Sequence, residues 1–448
     1  MQPTLKSIYK HFIISLLFIS SAFQFQSFAQ TTAIPDSNFE SVLVNLNIDT
    51  NGINGNILNS DAEYIQNLYI SDNFIQSLVG IEAFINLKNL DCSMNNLNAL
   101  DVSQNTQLES LIANDNQIGS INVLTNNKLE YINLSSNQLY TLDVSNNPYL
   151  ESLSIDLNNL NALNVSNNLQ LEYLGCYSNN LATIDLSNNT FLKHVFLSFN
   201  NLSELDLTQN TIIRTLSCSS NNILELDLLL NPDLSYFDCR DNDISTLDLS
   251  NNIDLKRLFV SNNYLTELDI TNNSNLLLLY ARYNNISALD ISNNLDLRWI
   301  KCEGNNLSSV DFRNGNNNNI SEFIMTGNSN LSCIYVDNAN ASYLDNWVID
   351  DSSTFVEDET DCEALSTESN FFLTSFSLYP NPATENVSIT INVESAKLEL
   401  YNIKGQLMLS QIINYGKNSV SLDAFSSGMY LVRISSNNFT ETKKIVLN

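Results

Sequence analysis

Histidine is nearly missing from this chain, with two in 448 residues. His11 lies in an N-terminal segment with the marks of an export signal, which leaves His194 alone in the rest. No histidine cluster for zinc can be assembled, and a single imidazole remains as a conceivable general base. His194 falls at a position held elsewhere by Tyr131, Tyr173 and Tyr236, so a surface side chain is expected, not a catalytic one. Positive charge is scarce as well: 19 Lys and Arg stand against 49 Asp and Glu, for a net charge of -30. Removing residues 1–29 deletes two lysines and no acid, which takes the charge to about -32. Nucleic acid and anionic lipid are bound mainly through Lys and Arg, so neither is expected as a partner. A soluble outer surface that does not adhere non-specifically is. Long apolar runs are absent after the first residues, and no later segment reaches the roughly 20 apolar residues of a spanning helix. No catalytic triad, phosphate loop or metal cluster is visible. The expectation is a protein without enzymatic activity, with no cofactor and no metal.

The chain starts with Lys6 and Lys10, an apolar run from Phe12 to Phe23, and the small residues Ser27 and Ala29. That order of charge, apolar core and small-residue site reads as a signal peptide over residues 1–29, a membrane anchor being the alternative. The mature chain then has no transmembrane segment.

The dominant signal is a repeat of 21 residues. Units begin at Leu100, Ile121, Leu142, Leu163, Ile184, Leu205, Leu226, Leu247, Leu268, Leu289 and Val310, without an insertion. Within a unit, Leu150-x-x-Leu153-x-Ile155-x-x-Asn158 is followed by the same phrase at Leu160-x-x-Leu163-x-Val165-x-x-Asn168. The alternation of apolar and polar residues is strand periodicity, and the Asn marks a turn. Two short strands per unit are therefore expected, stacked into a flattened solenoid with a parallel sheet on each broad side, a merely extended segment being the alternative for the second strand. One coil cannot bury its own apolar side, but neighbours can bury it mutually. Two asparagine columns, one running from Asn116 to Asn305 and the other from Asn105 to Asn294, recur in step with the repeat. An inward amide both donates and accepts, so each column is expected to bridge coil to coil. These residues resemble the leucine-rich-repeat family, in the 21-residue bacterial variant sometimes called the IRREKO class. The match covers about residues 65–330. Its first coil, Ile65-x-x-Leu68-x-Ile70-x-x-Asn73, is similar to the longer internalin-like type, and Arg313 to Asn319 carries a two-residue insertion.

A solenoid needs caps. Residues 30–64 form the N-terminal one, where Phe39, Val42, Leu43 and Leu46 recur at helical spacing and Asp36 or Ser37 can cap the helix. Asp49, Asn51, Asn54 and Asp61 distantly resemble a calcium loop, but the spacing is off and a polar turn is the preferred reading. Residues 331–362 form the C-terminal cap. There, in an exported protein, a disulfide between Cys333 and Cys362 is expected. Cys92, Cys176, Cys218, Cys239 and Cys302 sit at an inward strand position and read as small buried apolar residues.

After a polar linker, residues 363–375, the chain ends in alternating strands at Val387–Val393, Lys397–Tyr401 and Gly428–Ile434. Tyr379-Pro380-Asn381-Pro382, the Leu400–Gln406 phrase with Gly405, Gly428–Arg433 and the closing Lys443–Leu447 resemble the C-terminal sorting domain of the Bacteroidetes type IX secretion system. The resemblance implies a small β-sandwich over residues 376–448, read by the outer-membrane translocon. It also implies secretion or display on the outer surface of a Gram-negative bacterium of that type. The fold expected overall is mainly β, a solenoid with a short helical cap followed by a small sandwich.

Positions that recur in every coil hold the coil; positions that vary are free to be shaped by a ligand. The second residue of each unit is Asp in nine coils, with Asn122 and Asn164 as exceptions. Carboxylates one strand spacing apart repel by only about 1 kcal/mol in water, which a solvated face tolerates, and collecting calcium is the alternative role for the column. The outward positions of the other strand vary strongly, and Tyr173, His194, Phe196, Tyr236, Arg240, Arg257, Phe259, Tyr280, Arg282, Trp299 and Lys301 are the candidate ligand-binding residues. Exposed aromatics with Arg suit recognition, although packing along the sheet explains them equally. A protein ligand, for an adhesin or scaffold, is the leading expectation. A carbohydrate ligand or a passive spacer are the alternatives.

Overall fold

The computed structural model describes residues 30–362, 376–436 and 439–448. The expected signal peptide and linker lie outside the described residues. The chain divides into two compact units between residues 353 and 354.

The first unit opens with a strand at Thr31–Ala33, paired antiparallel with Asn56–Leu58, and a helix between them at Ser37–Asn45. Asp36 caps it through Oδ1, which accepts from the amides of Asn38 at 2.9 Å and Phe39 at 3.1 Å. Its Oδ2 accepts from the amides of Gln76 and Ser77, so one carboxylate starts the helix and ties it to the first coil. Phe39 and Leu43 are buried, but Leu46, expected inward, is 47% exposed because the helix ends there. Glu40 is buried instead, and its Oε1 accepts from the amides of Asn54 and Asn56.

Thirteen three-residue strands, from Asn67–Tyr69 to Glu322–Ile324, form one parallel sheet in sequential order. Leu153, Leu174 and Val195 lie side by side in register and are fully buried. Each such side chain contributes about 2 kcal/mol of apolar burial. Pairing is Asn67 with Asn89 at the start and Trp299 with Glu322 at the end, one and two residues beyond the usual 21-residue step. The late insertion is taken up in a 3-10 turn, Asn317–Asn319.

A sheet along the whole of the second broad side does not form. Among the described residues of the first unit, the strands that pair on that side are Ala288–Asp290, Ser309–Asp311 and Cys333–Tyr335. In the earlier coils the described backbone bonds between coils on that side come once per turn, as from Gln138 N to Ile118 O and Asn159 N to Leu139 O. One bond per turn holds an extended chain but makes no ladder.

The two asparagine columns also differ. Asn158 Nδ2 donates to Leu134 O of the preceding coil at 2.9 Å, and its Oδ1 accepts from Leu139 N at 3.0 Å. The same pattern recurs at Asn116, Asn137 and Asn179. Asn147 donates to Val123 O and Asn126 O of the preceding coil, but its Oδ1 is buried with no partner, as in every member from Asn105 to Asn294. The expectation that both columns donate and accept is corrected for this one. An under-satisfied carbonyl is tolerated better than an orphaned N–H, which is why the amide faces this way.

The second unit contains a five-stranded antiparallel sheet: Phe376–Tyr379, Asn386–Asn402, Leu407–Ser421, Gly428–Ser436 and Phe439–Leu447. It forms a nearly closed small sandwich over a core that includes Ile389, Leu398, Ile434 and Ile445. The two strands expected at 387–393 and 397–401 are one strand with a bulge between Ile391 and Ser395. The sequence reading missed Leu407–Ser421 because its outward positions include Leu407, Met408 and Ile412, which blurs the alternation.

Candidate functional site

The strand register aligns the variable residues in rows. Tyr173, His194, Thr215, Tyr236, Arg257, Leu278 and Trp299 form one row across neighbouring strands. Phe196, Ser217, Asp238, Phe259, Tyr280 and Lys301 form the next. Because strands lie about 4.8 Å apart, rings on adjacent coils touch. Tyr173 and Phe196 centroids are 5.5 Å apart, Tyr236 and Phe259 5.5 Å, and Phe259 and Tyr280 5.4 Å. All of these rings are half-buried.

Several cations are already engaged. Arg240 makes a bidentate pair with Asp238, Nε to Oδ1 at 2.9 Å and Nη2 to Oδ2 at 2.7 Å, and lies 5.0 Å from the Phe259 ring. Asp238 is buried, so its charge depends on that partner. Arg282 Nε is 3.0 Å from Glu303 Oε1. Lys301 pairs with Glu322 at 2.9 Å and stands over Tyr280. His194 Nδ1 is 3.0 Å from Thr215 Oγ1, and burial, then Arg214 and Lys193, hold its pKa below the usual 6.5. Burial likewise raises the phenols of Tyr173, Tyr236 and Tyr280. Arg257 is exposed, and it has no ion pair among the described residues. Trp299 is exposed at 37% and Tyr283 at 55%.

The sequence reading missed the acids beneath this surface. Asp238 could have been found from the Asp-x-Arg spacing, since residues two apart share a strand face. Asp156 could not. It lies against Gly175 of the next coil, where an added Cβ would come 2.9 Å from its Oδ2, and it accepts from Tyr177 N at 2.8 Å. Burial raises its pKa.

A column of left-handed residues borders the face. Met94, Leu157, Phe199 and Tyr283 have φ between 51° and 57°, a conformation that costs a residue with Cβ about 1–2 kcal/mol. All four side chains are exposed.

The N-terminal turn is held by hydrogen bonds: Asp61 Oδ2 accepts from Thr50 N at 2.9 Å and Asp49 Oδ1 from Asn51 N at 3.2 Å. Asn54 Nδ2 donates to Asn51 O. Cys333 and Cys362 are both disulfide-bonded. The other five cysteines are buried free thiols, and burial raises their pKa values. In the second unit Asn381 Nδ2 donates to Lys444 O at 2.8 Å, and its Oδ1 accepts from Val446 N at 2.9 Å. The Tyr379–Pro382 phrase thus reads the closing Lys443–Leu447 strand. Pro380 and Pro382 follow cis peptide bonds, and Tyr379 is 77% exposed. Gly405 takes φ +77° in a turn that Asn402 stabilises, and Gly428 starts the penultimate strand.

Residues 377–448 match the family described as a secretion system C-terminal sorting domain. That tail marks cargo of the type IX system, secreted or attached to the outer surface of Bacteroidetes. No described helix is long and apolar enough to cross a membrane. No curated protein matches the chain in sequence. Among solved structures, the functional domain of InlJ from Listeria monocytogenes is similar at TM-score 0.61 and 21% identity, over 94% of this chain and 99% of that one. The internalin InlF from the same species is similar at TM-score 0.57 and 20% identity, over 71% and 92%. A leucine-rich-repeat protein of Leptospira interrogans aligns at TM-score 0.51 and 20% identity, over 64% and 84%. These likenesses show the leucine-rich-repeat, internalin-like fold.

Proposed function

We propose that this exported protein captures another protein through the sheet face between Tyr173 and Lys301, as an adhesin or an interaction scaffold. The observation that carries the reading is the exposed set on that face and its border: Arg257 without an ion pair among the described residues, Trp299, and Phe199 and Tyr283 displayed at a backbone cost. Packing alone accounts for Tyr173, Phe196, Tyr236, Phe259 and Tyr280, which touch one another. It does not account for Arg257 and Trp299; Phe199 meets the Tyr177 ring at 5.2 Å and Tyr283 lies 5.4 Å from the Arg282 guanidinium, yet both keep about half their surface in solvent. Arg240, Arg282 and Lys301 fix their neighbours and present the rest of the surface. His194, beside Thr215, and the packed aromatic rows form the support around that exposed set, and the reading invokes no catalytic step.

The test is capture of surface proteins from the organism's surroundings by the mature chain, compared with an Arg257→Glu/Trp299→Ala variant. Capture should fall by about tenfold or more, as for residues central to an interface. Arg282 is a poorer choice, because reversing it places like charge beside Glu303. Equal capture by both chains would rule the face out as the binding surface. Glycan-array binding that depends on Trp299 would favour the carbohydrate reading instead.

A further inference from the structure

The side of the coils without the long sheet carries a groove of about 1240 Å³, running from Thr183 to Asp290. Its floor includes Leu205, Leu226 and Leu268, which are 5–7% exposed while the deeper Leu207, Leu228 and Ile270 are at 0–1%. One wall is an unbroken row: Asp185, Asp206, Asp227, Asp248, Asp269 and Asp290. The other holds Glu204, Glu225 and Glu267. Each Glu and Asp flank one floor Leu at alternate positions of an extended chain, so both point outward over it. No lining residue is Lys, Arg or His. None of these acids has a basic partner among the described residues.

The fold does not require this charge. Each Asp uses Oδ1 to accept the amide two residues on, as Asp206 does from Thr208 N at 2.9 Å. Asn122 and Asn164 do the same for Leu124 and Ser166 at 3.0 Å. An amide oxygen therefore serves the turn as well as a carboxylate, yet six successive coils along the groove keep the acid. General solubility explains the pattern poorly, because the next column of the same wall holds Ser187, Thr208, Leu229, Ser250 and Thr271. The hydrogen bonds from Thr208 and Thr271 hold Asp206 and Asp269 below the ordinary carboxylate pKa, despite the neighbouring Asp185 and Asp248. A chelated metal fits less well: among the described residues no group of three ligating side chains is placed to hold an ion.

We propose that the groove docks an extended polypeptide segment in which lysines or arginines alternate with apolar residues. The cations would meet the two acidic walls and the apolar residues the leucine floor. Five coil steps of about 4.8 Å give room for about seven extended residues at about 3.3 Å each. This groove lies on a different surface from the aromatic sheet face, and its ligand does not depend on what that face binds.

The test uses the mature full-length protein and a fluorescein-labelled peptide of about eight residues alternating Lys with Leu and Ser, followed by anisotropy. A peptide with Glu in place of Lys and an all-Lys peptide serve as controls. The alternating peptide should bind, bind more tightly than all-Lys, and weaken as salt rises. Asp206→Asn/Asp227→Asn/Asp248→Asn should weaken it by about tenfold or more with the melting temperature unchanged, and Arg257→Glu should leave it alone. Glu204→Gln/Glu225→Gln/Glu267→Gln, on the opposite wall, should act alike and serves if the first variant misfolds. Binding that survives both variants, no binding by the wild type, or displacement of the peptide by millimolar calcium that itself stabilises the fold would each overturn the proposal.

Discussion

The two broad sides of the solenoid are built from the same phrase and end differently. On one side Leu153, Leu174 and Val195 sit beneath a continuous ladder, and the adjoining Asn158 column is satisfied at both ends of its amide. On the other, strands pair only near the C-terminal end, the Asn147 column leaves its oxygens empty, and leucines show through a groove. The lesson is a division of labour. Cooperative stability is concentrated where each coil has both its backbone and its amide completed by its neighbours. The other side is held by fewer bonds and is open to ligand chemistry.

The largest expected contrast is in the core. Leu174→Ala, under the ladder, should cost about 3–4 kcal/mol, and Leu205→Ala, at the groove floor, about 2 kcal/mol, by urea denaturation. Equal losses would break the comparison. Next come the amides. Asn158→Ala strands Leu139 N and Leu134 O and should cost about 2–3 kcal/mol, whereas Asn147→Ala strands acceptors only and should cost about 1–2 kcal/mol. A smaller effect of opposite sign is expected at the border of the ladder. Leu157→Asn, which suits φ +53°, should raise stability by about 0.5–1 kcal/mol. The smallest is electrostatic. The His194 imidazole, followed by NMR, should titrate below 6.5, and Glu172→Gln should lower its midpoint further because Glu172 opposes the shift. With its folded pKa depressed, His194 binds its proton less readily in the folded state. Its share of stability is therefore present above 6.5 and is lost as pH falls through 6.5 to the lower folded value. A midpoint above 6.5 would contradict the half-buried placement.

Much of this was legible beforehand, and the failures have particular causes. The helix cap at Asp36, the inward leucines and cysteines, and the irregular first and last steps followed from spacing. Leu46 is expected inside and lies outside because periodicity does not say where a helix stops. The two asparagine columns are expected to share one chemistry because the residue is the same, although the backbone around each differs. Among the candidate ligand-binding residues, the Asp-x-Arg spacing points to Arg240 being spent on Asp238, but spacing along one coil says nothing of Arg257, whose neighbours lie on other coils and which is free of ion pairs among the described residues.

Sequence alone determined the 21-residue circuit, the side chains that face inward, and the export tail, because each is written in short spacings along one chain. Tertiary structure alone decided which side carries a ladder, which cations are neutralised and which acids stand unpaired. Those outcomes depend on groups 21 residues apart meeting within about 5 Å, and on how much water each contact excludes.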